Sequence, residues 1–313
     1  MIDVFYYKNG IKKADFKDLH KIKNENLWID ISNLTREETQ IIAKTFKLHP
    51  TTEEDLFKAN VRIKIEEFEN YLLCIYYGIK NTKTLEMYEL DFVIGKNFII
   101  SNHKKPIESF DSLKKDKERL ETLFKKSPDF IFHDLLDREI DNYFPILESV
   151  DNQIEDIEEN ISKNVKQKVL SEILKLKRVI IFVKRRVFEQ REKVSFLAKR
   201  DYKFITHDAV PYFRDIYDNT IRVTDSIDNS RELVGNAYEV YMSTISNNMN
   251  EVMKVLSVIA TLVLPLTAIS GIYGTNFHII PGASFEYGFW VMIGLMVIIS
   301  GFSLVLFKRK GWF

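Results

Sequence analysis

Residues 255–277 read VLSVIATLVLPLTAISGIYGTNF, and residues 287–307 read YGFWVMIGLMVIISGFSLVLF. Neither run contains a charged side chain, although the chain before them is heavily charged. Each run is long enough, at about 1.5 Å per helical residue, to cross a bilayer core of about 30 Å. Nothing before Lys254 is apolar enough to do the same. The expectation is a large soluble body that ends in a two-helix membrane hairpin. The joint of that hairpin, Tyr273-Gly274-Thr275-Asn276-Phe277, is where chemistry is expected.

Charge places the hairpin in the membrane. Lys254 marks the inner end of the first run, and Lys308, Arg309 and Lys310 follow the second. Positive charge beside a span favours the cytoplasmic side, so both termini are expected inside, with a short external loop over about residues 275–286. Met1-Ile2-Asp3 lacks a basic stretch and a long apolar core. No secretory signal is therefore expected, and the soluble part is read as cytoplasmic, beneath the cell (inner) membrane.

The 45 basic and 45 acidic residues cancel, but they are not evenly spread. Acids dominate from Asp134 to Glu159, and Lys163 to Arg186 is strongly basic. Asp151, Glu155, Asp156, Glu158 and Glu159 are placed to face Lys166, Lys168, Lys175, Lys177 and Arg178 on an antiparallel helix. Two solvated helices of opposite sign explain these runs without a nucleic-acid partner. Cys74 is the lone cysteine and sits in an apolar run. It reads as a core thiol with no disulfide framework. There is no Gly-rich phosphate loop, paired-His metal motif or Cys pair. An enzyme or an organic cofactor is left without support.

Residues 1–105 read as a cytoplasmic α/β domain. Val4–Tyr7 and Leu27–Ile31 have strand character. Thr35-Arg36-Glu37-Glu38 is a capping box opening a helix that runs through Phe46. Ile63–Ile79, Leu85–Ile94 and Asn97–Ser101 add further strands. Residues 106–252 read as a stalk of long helices. Ser127-Pro128-Asp129 starts one of them. Ile140, Tyr143, Leu147, Val150, Ile154, Ile157 and Ile161 then recur at steps of three and four, a seam for packing against another helix. Pro145 is expected to bend it. A basic helix follows over about Val165–Lys199. From His207 to Tyr273 no helix-ending cluster occurs. One continuous helix, about 100 Å long at about 1.5 Å per residue, is therefore expected to enter the membrane. Residues 253–313 are the hairpin, with spans at about 253–273 and 287–307, and the basic tail.

Within the first span Asn250, Met253, Leu256, Ala260, Leu264, Thr267 and Gly271 step by three and four along one face. Arranged around an axis, this stripe would line a narrow apolar tube, pinched at Met253, Leu256 and Leu264. Such constrictions gate by excluding water.

Tyr273-Gly274-Thr275-Asn276-Phe277, at the external end of a first span and before a second, resembles the Tyr-Gly-Met-Asn-Phe signature of the CorA-type divalent metal-ion (magnesium/cobalt) transporter family. Asn250–Leu256, Leu264-Pro265-Leu266-Thr267 and Pro211-Tyr212-Phe213-Arg214-Asp215-Ile216-Tyr217-Asp218 are similar to further stretches of that family, as are the long helices and the basic tail. The resemblance implies a funnel-shaped homopentameric channel whose first spans surround the pore. Gly274, Thr275 and Asn276 would form its selectivity filter. It implies Mg²⁺, with Co²⁺ or Ni²⁺ also carried, as the transported ion, and Mg²⁺ again as a regulatory ligand between cytoplasmic subunits. Mg²⁺ gives up its waters reluctantly, and a ring of neutral Asn276 carbonyls can hold the hydrated ion without stripping it. The membrane potential drives entry at about 2.3 kcal/mol per charge per 100 mV, so no nucleotide is needed. By the same resemblance Glu239, Asp215 and Asp137 are regulatory metal sites, with Glu86, Glu89 and Asp91 as candidate partners from the α/β domain.

Two positions depart from the family pattern. Thr275 replaces Met and places a hydroxyl at the pore mouth, and the loop His278–Ala283 lacks an acid, leaving Glu286 alone. Imidazole at His278 suits Co²⁺, Ni²⁺ or Zn²⁺. A zinc transporter of the same superfamily and a non-conducting, membrane-anchored metal sensor or scaffold are therefore the competing readings.

Overall fold

The computed structural model describes residues 1–58, 62–81, 85–163, 167–199, 201–276, 278, 280–282 and 284–312. Val165, Lys166, Phe277, Ile279 and Ala283, which entered the sequence reading, lie outside the described residues. The chain divides into two compact units: Met1–Glu159 with Gln167–Tyr238, and Asn160–Lys166 with Glu239–Phe313.

The first unit is built on a sheet of β1 (Ile2–Tyr7), β2 (Ile11–Ala14), β3 (Asn26–Ser32), β4 (Lys64–Glu67), β5 (Tyr71–Asn81), β6 (Leu85–Gly95) and β7 (Phe98–His103), in the order β2-β1-β3-β7-β6-β5-β4. β3 and β7 pair in parallel at the centre, Trp28 opposite Ile99 and Asp30 opposite Ser101, and the other neighbours are antiparallel. Every residue of β7 is buried, as a strand covered on both faces requires.

One face carries α1 (Leu19–Ile22), α2 (Arg36–Phe46) and α3 (Pro50–Phe57), which close a core of Leu27, Ile29, Ile31, Ile42, Phe46, Leu56, Leu73 and Ile100. The expected capping box opens α2: the Glu38 N–H bonds Thr35 Oγ1 while the Thr35 N–H bonds Glu38 Oε2. The other face carries α4 (Glu108–Lys115), α5 (Lys117–Lys126) and α6 (Pro128–Asp141). Phe92 packs there against Phe110 and Phe132, with ring centroids 6.1 and 5.1 Å away.

A buried ionic knot fastens α4 to the sheet. Lys114 Nζ lies 2.6 Å from Asp30 Oδ2, 3.0 Å from Asp3 and 3.0 Å from Asp111, and His103 Nε2 lies 3.2 Å from Asp30 Oδ1. Burial alone would push the Asp30 carboxyl up, yet the hydrogen bonds and charges of His103 and Lys114 hold it below its ordinary range.

α7 (Tyr143–Lys163) and α8 (Gln167–Lys199) follow. The seam expected from sequence is buried along its whole length, from Ile140 and Tyr143 through Val150 and Ile154 to Ile161. The chain passes from α6 to α7 through Asn142 alone, which keeps helical φ and ψ of −61° and −19° and bonds the Arg138 carbonyl at 3.1 Å, while Pro145 has no N–H to offer the carbonyl of Asp141. Gln190 on α8 accepts the Tyr77 N–H at 2.9 Å and donates to the Tyr143 hydroxyl, which itself donates to the Tyr77 carbonyl at 2.8 Å. Three elements are thus locked by one fully buried amide. The α7 and α8 charges also find partners on the next helix: Ser230 donates to Asp151, and Lys184 pairs with Asp228.

That next helix, α9 (Val210–Tyr273), is 64 residues long, with Pro211 in its first turn and Pro265 inside it. α10 spans Gly288–Arg309. In the apolar windows of α9 and α10 only 6% and 0% of residues are buried. Two long apolar surfaces left bare by their own chain fit a membrane hairpin.

Candidate functional site

The α9 terminus is shaped by its sequence. The Gly274 N–H bonds the Ser270 carbonyl at 2.8 Å, and a Cβ at Gly274 would come within 3.0 Å of that oxygen. Glycine therefore lets the chain leave the helix tightly. The Thr275 hydroxyl donates back to the Ile272 carbonyl at 2.8 Å. It caps the helix end. Asn276 follows, exposed and non-helical. The loop between α9 and α10 is tied to the helix by the Tyr273 hydroxyl, which donates to the Pro281 carbonyl at 3.2 Å. Gly282 has a φ of 85°. That left-handed turn suits glycine. Phe285, Tyr287, Phe289 and Trp290 cluster around the start of α10, an aromatic set typical of a membrane interface.

The stripe expected to line an axis is exposed at every position: Asn250, Met253, Leu256, Ala260, Leu264, Thr267 and Gly271. Met253, Leu256 and Leu264 are 58%, 60% and 66% exposed. Hydroxyls near the stripe are turned onto their own helix, Ser257 onto the Met253 carbonyl at 2.7 Å and Thr267 onto the Val263 carbonyl at 2.9 Å. With its hydroxyls spent internally the face stays apolar, which is what gating by dewetting requires. At the other end Lys308, Arg309 and Lys310 are exposed, and Trp312 stacks on Phe307 at 5.2 Å after a left-handed Gly311.

The acids separate into three groups. Asp137 on α6 and Asp215 on α9 are brought together, and Asp141, one turn after Asp137, joins them. Burial, then the charges of Asp141, Asp215 and Asp134, push the Asp137 carboxyl up to about 6. Burial and the Asp215 charge raise Asp141 as well, with Arg222 opposing. The aromatic motif beginning at Pro211 does the positioning. Phe213 and Ile216 are fully buried, His133 is held edge-on between Tyr212 and Phe213 at 5.3 and 5.7 Å, and Asp215 stays exposed between these anchors. Asp141 was missed in the sequence reading, although its i+4 spacing from Asp137 was a usable signal.

Glu239 is exposed further along α9. The three β6 acids divide, one exposed and two buried. Glu86 is exposed, with Lys105 at 3.6 Å. Glu89 and Asp91 are buried instead, Glu89 accepting from the Tyr77 hydroxyl at 2.7 Å and Asp91 from Asn102 Nδ2 at 2.7 Å. Burial and then the Glu89 charge raise the Asp91 carboxyl well above its ordinary range. At 2% exposure it lacks the accessibility a surface metal ligand needs. Among the described residues no three His, Cys, Asp or Glu side chains converge tightly enough to hold a metal ion within one chain.

Comparison with known proteins agrees with this layout. A family model described as CorA-like Mg²⁺ transporter protein matches residues 23–309. The cobalt/magnesium transport protein CorA of Thermotoga maritima is 33% identical, over 91% of this chain and 83% of its own. Among solved structures, the complete CorA magnesium transporter from Methanocaldococcus jannaschii superposes with a TM-score of 0.89 at 22% identity, covering 100% of this chain and 99% of that one. The ZntB cytoplasmic domain from Vibrio parahaemolyticus shares the fold at a TM-score of 0.61 and 14% identity, covering 80% of this chain and 98% of that one. On a match across nearly its whole length, the chain belongs to the CorA-like Mg²⁺ transporter family.

Proposed function

We propose that this member of a divalent-cation transporter family is a channel for Mg²⁺, also passing Co²⁺ and Ni²⁺, driven inward by the membrane potential and closed by intracellular Mg²⁺. The observation that carries the reading is the bare apolar stripe of α9 ending in the Gly274-Thr275-Asn276 turn. A membrane anchor also leaves an apolar helix face bare, but it has no need of the polar Gly274-Thr275-Asn276 turn at the end of that face. Five copies, with both termini cytoplasmic, would surround the pore with the stripe, and Asn276 would present neutral oxygens to a hydrated ion.

In this mechanism Mg²⁺ bridges acids between neighbouring subunits. Burial and the mutual repulsion of Asp137, Asp141 and Asp215 hold one carboxyl at about 6, and the repulsion is what a divalent ion relieves. The lack of a complete intrachain cage among the described residues suits a site finished by a second copy. Glu239 and the exposed Glu86 are assigned the same kind of role. When internal Mg²⁺ falls, the acids repel, the long helices part, and the constriction at Met253, Leu256 and Leu264 wets.

Reconstitution of the purified chain into proteoliposomes with an inside-negative potential tests this. Mg²⁺ entry exceeding Zn²⁺ entry is expected. Zn²⁺ entry without Mg²⁺ entry would favour the zinc reading, for which exposed His278 is the residue at hand.

A further inference from the structure

α8 carries two seams, and among the described residues only one is buried within its own chain. Val169, Ile173, Ile180, Val183, Val187, Gln190, Val194 and Leu197 are buried. On the opposite face Leu174, Arg178, Ile181, Arg185 and Phe188 recur at steps of four and three, and all five are exposed. Leu174 is 37% exposed, Ile181 49% and Phe188 52%. These three apolar members repeat every seven residues, the spacing of a helix-packing seam. α8 as a whole holds ten Lys and Arg against three Glu.

The matching surface lies on α7. Glu148, Asn152, Glu155 and Glu159 form one exposed stripe opposite that helix's buried seam. α7 holds six acids against one Lys. Arg178 and Arg185 are seven positions apart, as are Glu148 and Glu155. Both pairs are therefore spaced at about 10 Å along their helices. Within the chain Arg185 pairs with its helical neighbour Glu189 at 3.6 Å. An exposed pair of that kind is weak.

We infer that the Leu174–Phe188 stripe of α8 docks on the Glu148–Glu159 stripe of α7 in a second copy of this chain. Opposite charge at equal spacing sets the register, and the apolar side chains pack on the methylene stems between the charges. The inference rests on the oligomeric part of the proposed function and gives it a contact outside the pore helices.

The test uses the full chain, which has one native cysteine, the buried Cys74. Two differently tagged copies are co-expressed, one carrying Asn152→Cys and the other Ile181→Cys, and are treated in membranes with a short bismaleimide. A two-chain adduct bearing both tags is expected. Arg178→Glu with Arg185→Glu in the Ile181→Cys copy should cut the adduct by about tenfold, because like charges then face each other. Glu148→Arg with Glu155→Arg in the partner copy should restore it, which a merely misfolded variant could not do. Copies that co-purify but give no adduct, or an adduct indifferent to charge reversal, would overturn the docking while leaving the channel assembly standing. Copies that never co-purify would overturn both.

Discussion

Asp137 offers the sharpest quantitative handle on the acid group. Its carboxyl is raised from 3.8 to about 6 by burial and by Asp141, Asp215 and Asp134. The folded chain therefore keeps a proton that the unfolded chain has already released between about pH 4 and pH 6. Stability from this group is fully present below pH 4, falls as pH rises through that window, and stays low at neutral pH. At about 1.36 kcal/mol per unit the shift corresponds to roughly 3 kcal/mol, but Asp137 is half-exposed and solvent screening brings its share nearer to about 1 kcal/mol. For a unit of this size that is about 3 °C in Tm. Asp137→Asn should raise Tm by about that amount at pH 7 without divalent ions, and change it little at pH 4. Added Mg²⁺ should stabilise the native chain at pH 7 and stabilise the variant less. Thermal unfolding of the detergent-solubilised chain at the two pH values, with and without Mg²⁺, reads all of this. Equal pH and Mg²⁺ responses in native and variant protein would refute the reasoning, because the repulsion that Mg²⁺ is assigned to relieve would then be absent.

Lys114→Met removes the cation from a carboxylate, Asp30, that is 2% exposed. The change should cost about 3 kcal/mol, measured by chemical unfolding of the native chain and the variant. Leu264→Asn places a polar group in the bare stripe and should raise Mg²⁺ flux at high internal Mg²⁺, where the proposed gating closes the native chain; unchanged flux would remove Leu264 from the constriction. Thr275→Val loses only a helix-capping hydroxyl bond. That bond is worth about 1 kcal/mol, so ion selectivity should persist with a modest fall in Tm. A change of selectivity would instead put that hydroxyl in the ion path.

The membrane hairpin, the capping box and the α7 seam were all legible in the sequence. They depend on local periodicity and on the absence of charge, both of which survive in one dimension. The sheet order was not legible, because the parallel pairing of β3 with β7 joins distant stretches of chain through side-chain and backbone contacts that no short window contains. The same limit explains Glu89 and Asp91. The β6 stretch by itself does not tell that helices cover both sides of this sheet, where Tyr77 and Asn102 receive the two carboxyls inside. The Asp30–His103–Lys114 knot was hidden in the same way, since Asp30 sits in an apolar strand and its partners come from β7 and α4. At the end of α9 the turn was legible from its glycine, but not the bond that Thr275 makes to its own helix.

Asn276 bears the central claim. Mg²⁺ entry into proteoliposomes under an inside-negative potential should be clear for the native chain and lost for Asn276→Ala, with both proteins eluting as the same folded assembly. An Asn276→Ala chain that admits Mg²⁺ at the native rate would contradict the account, since the ion would then pass without the side chain proposed to select it.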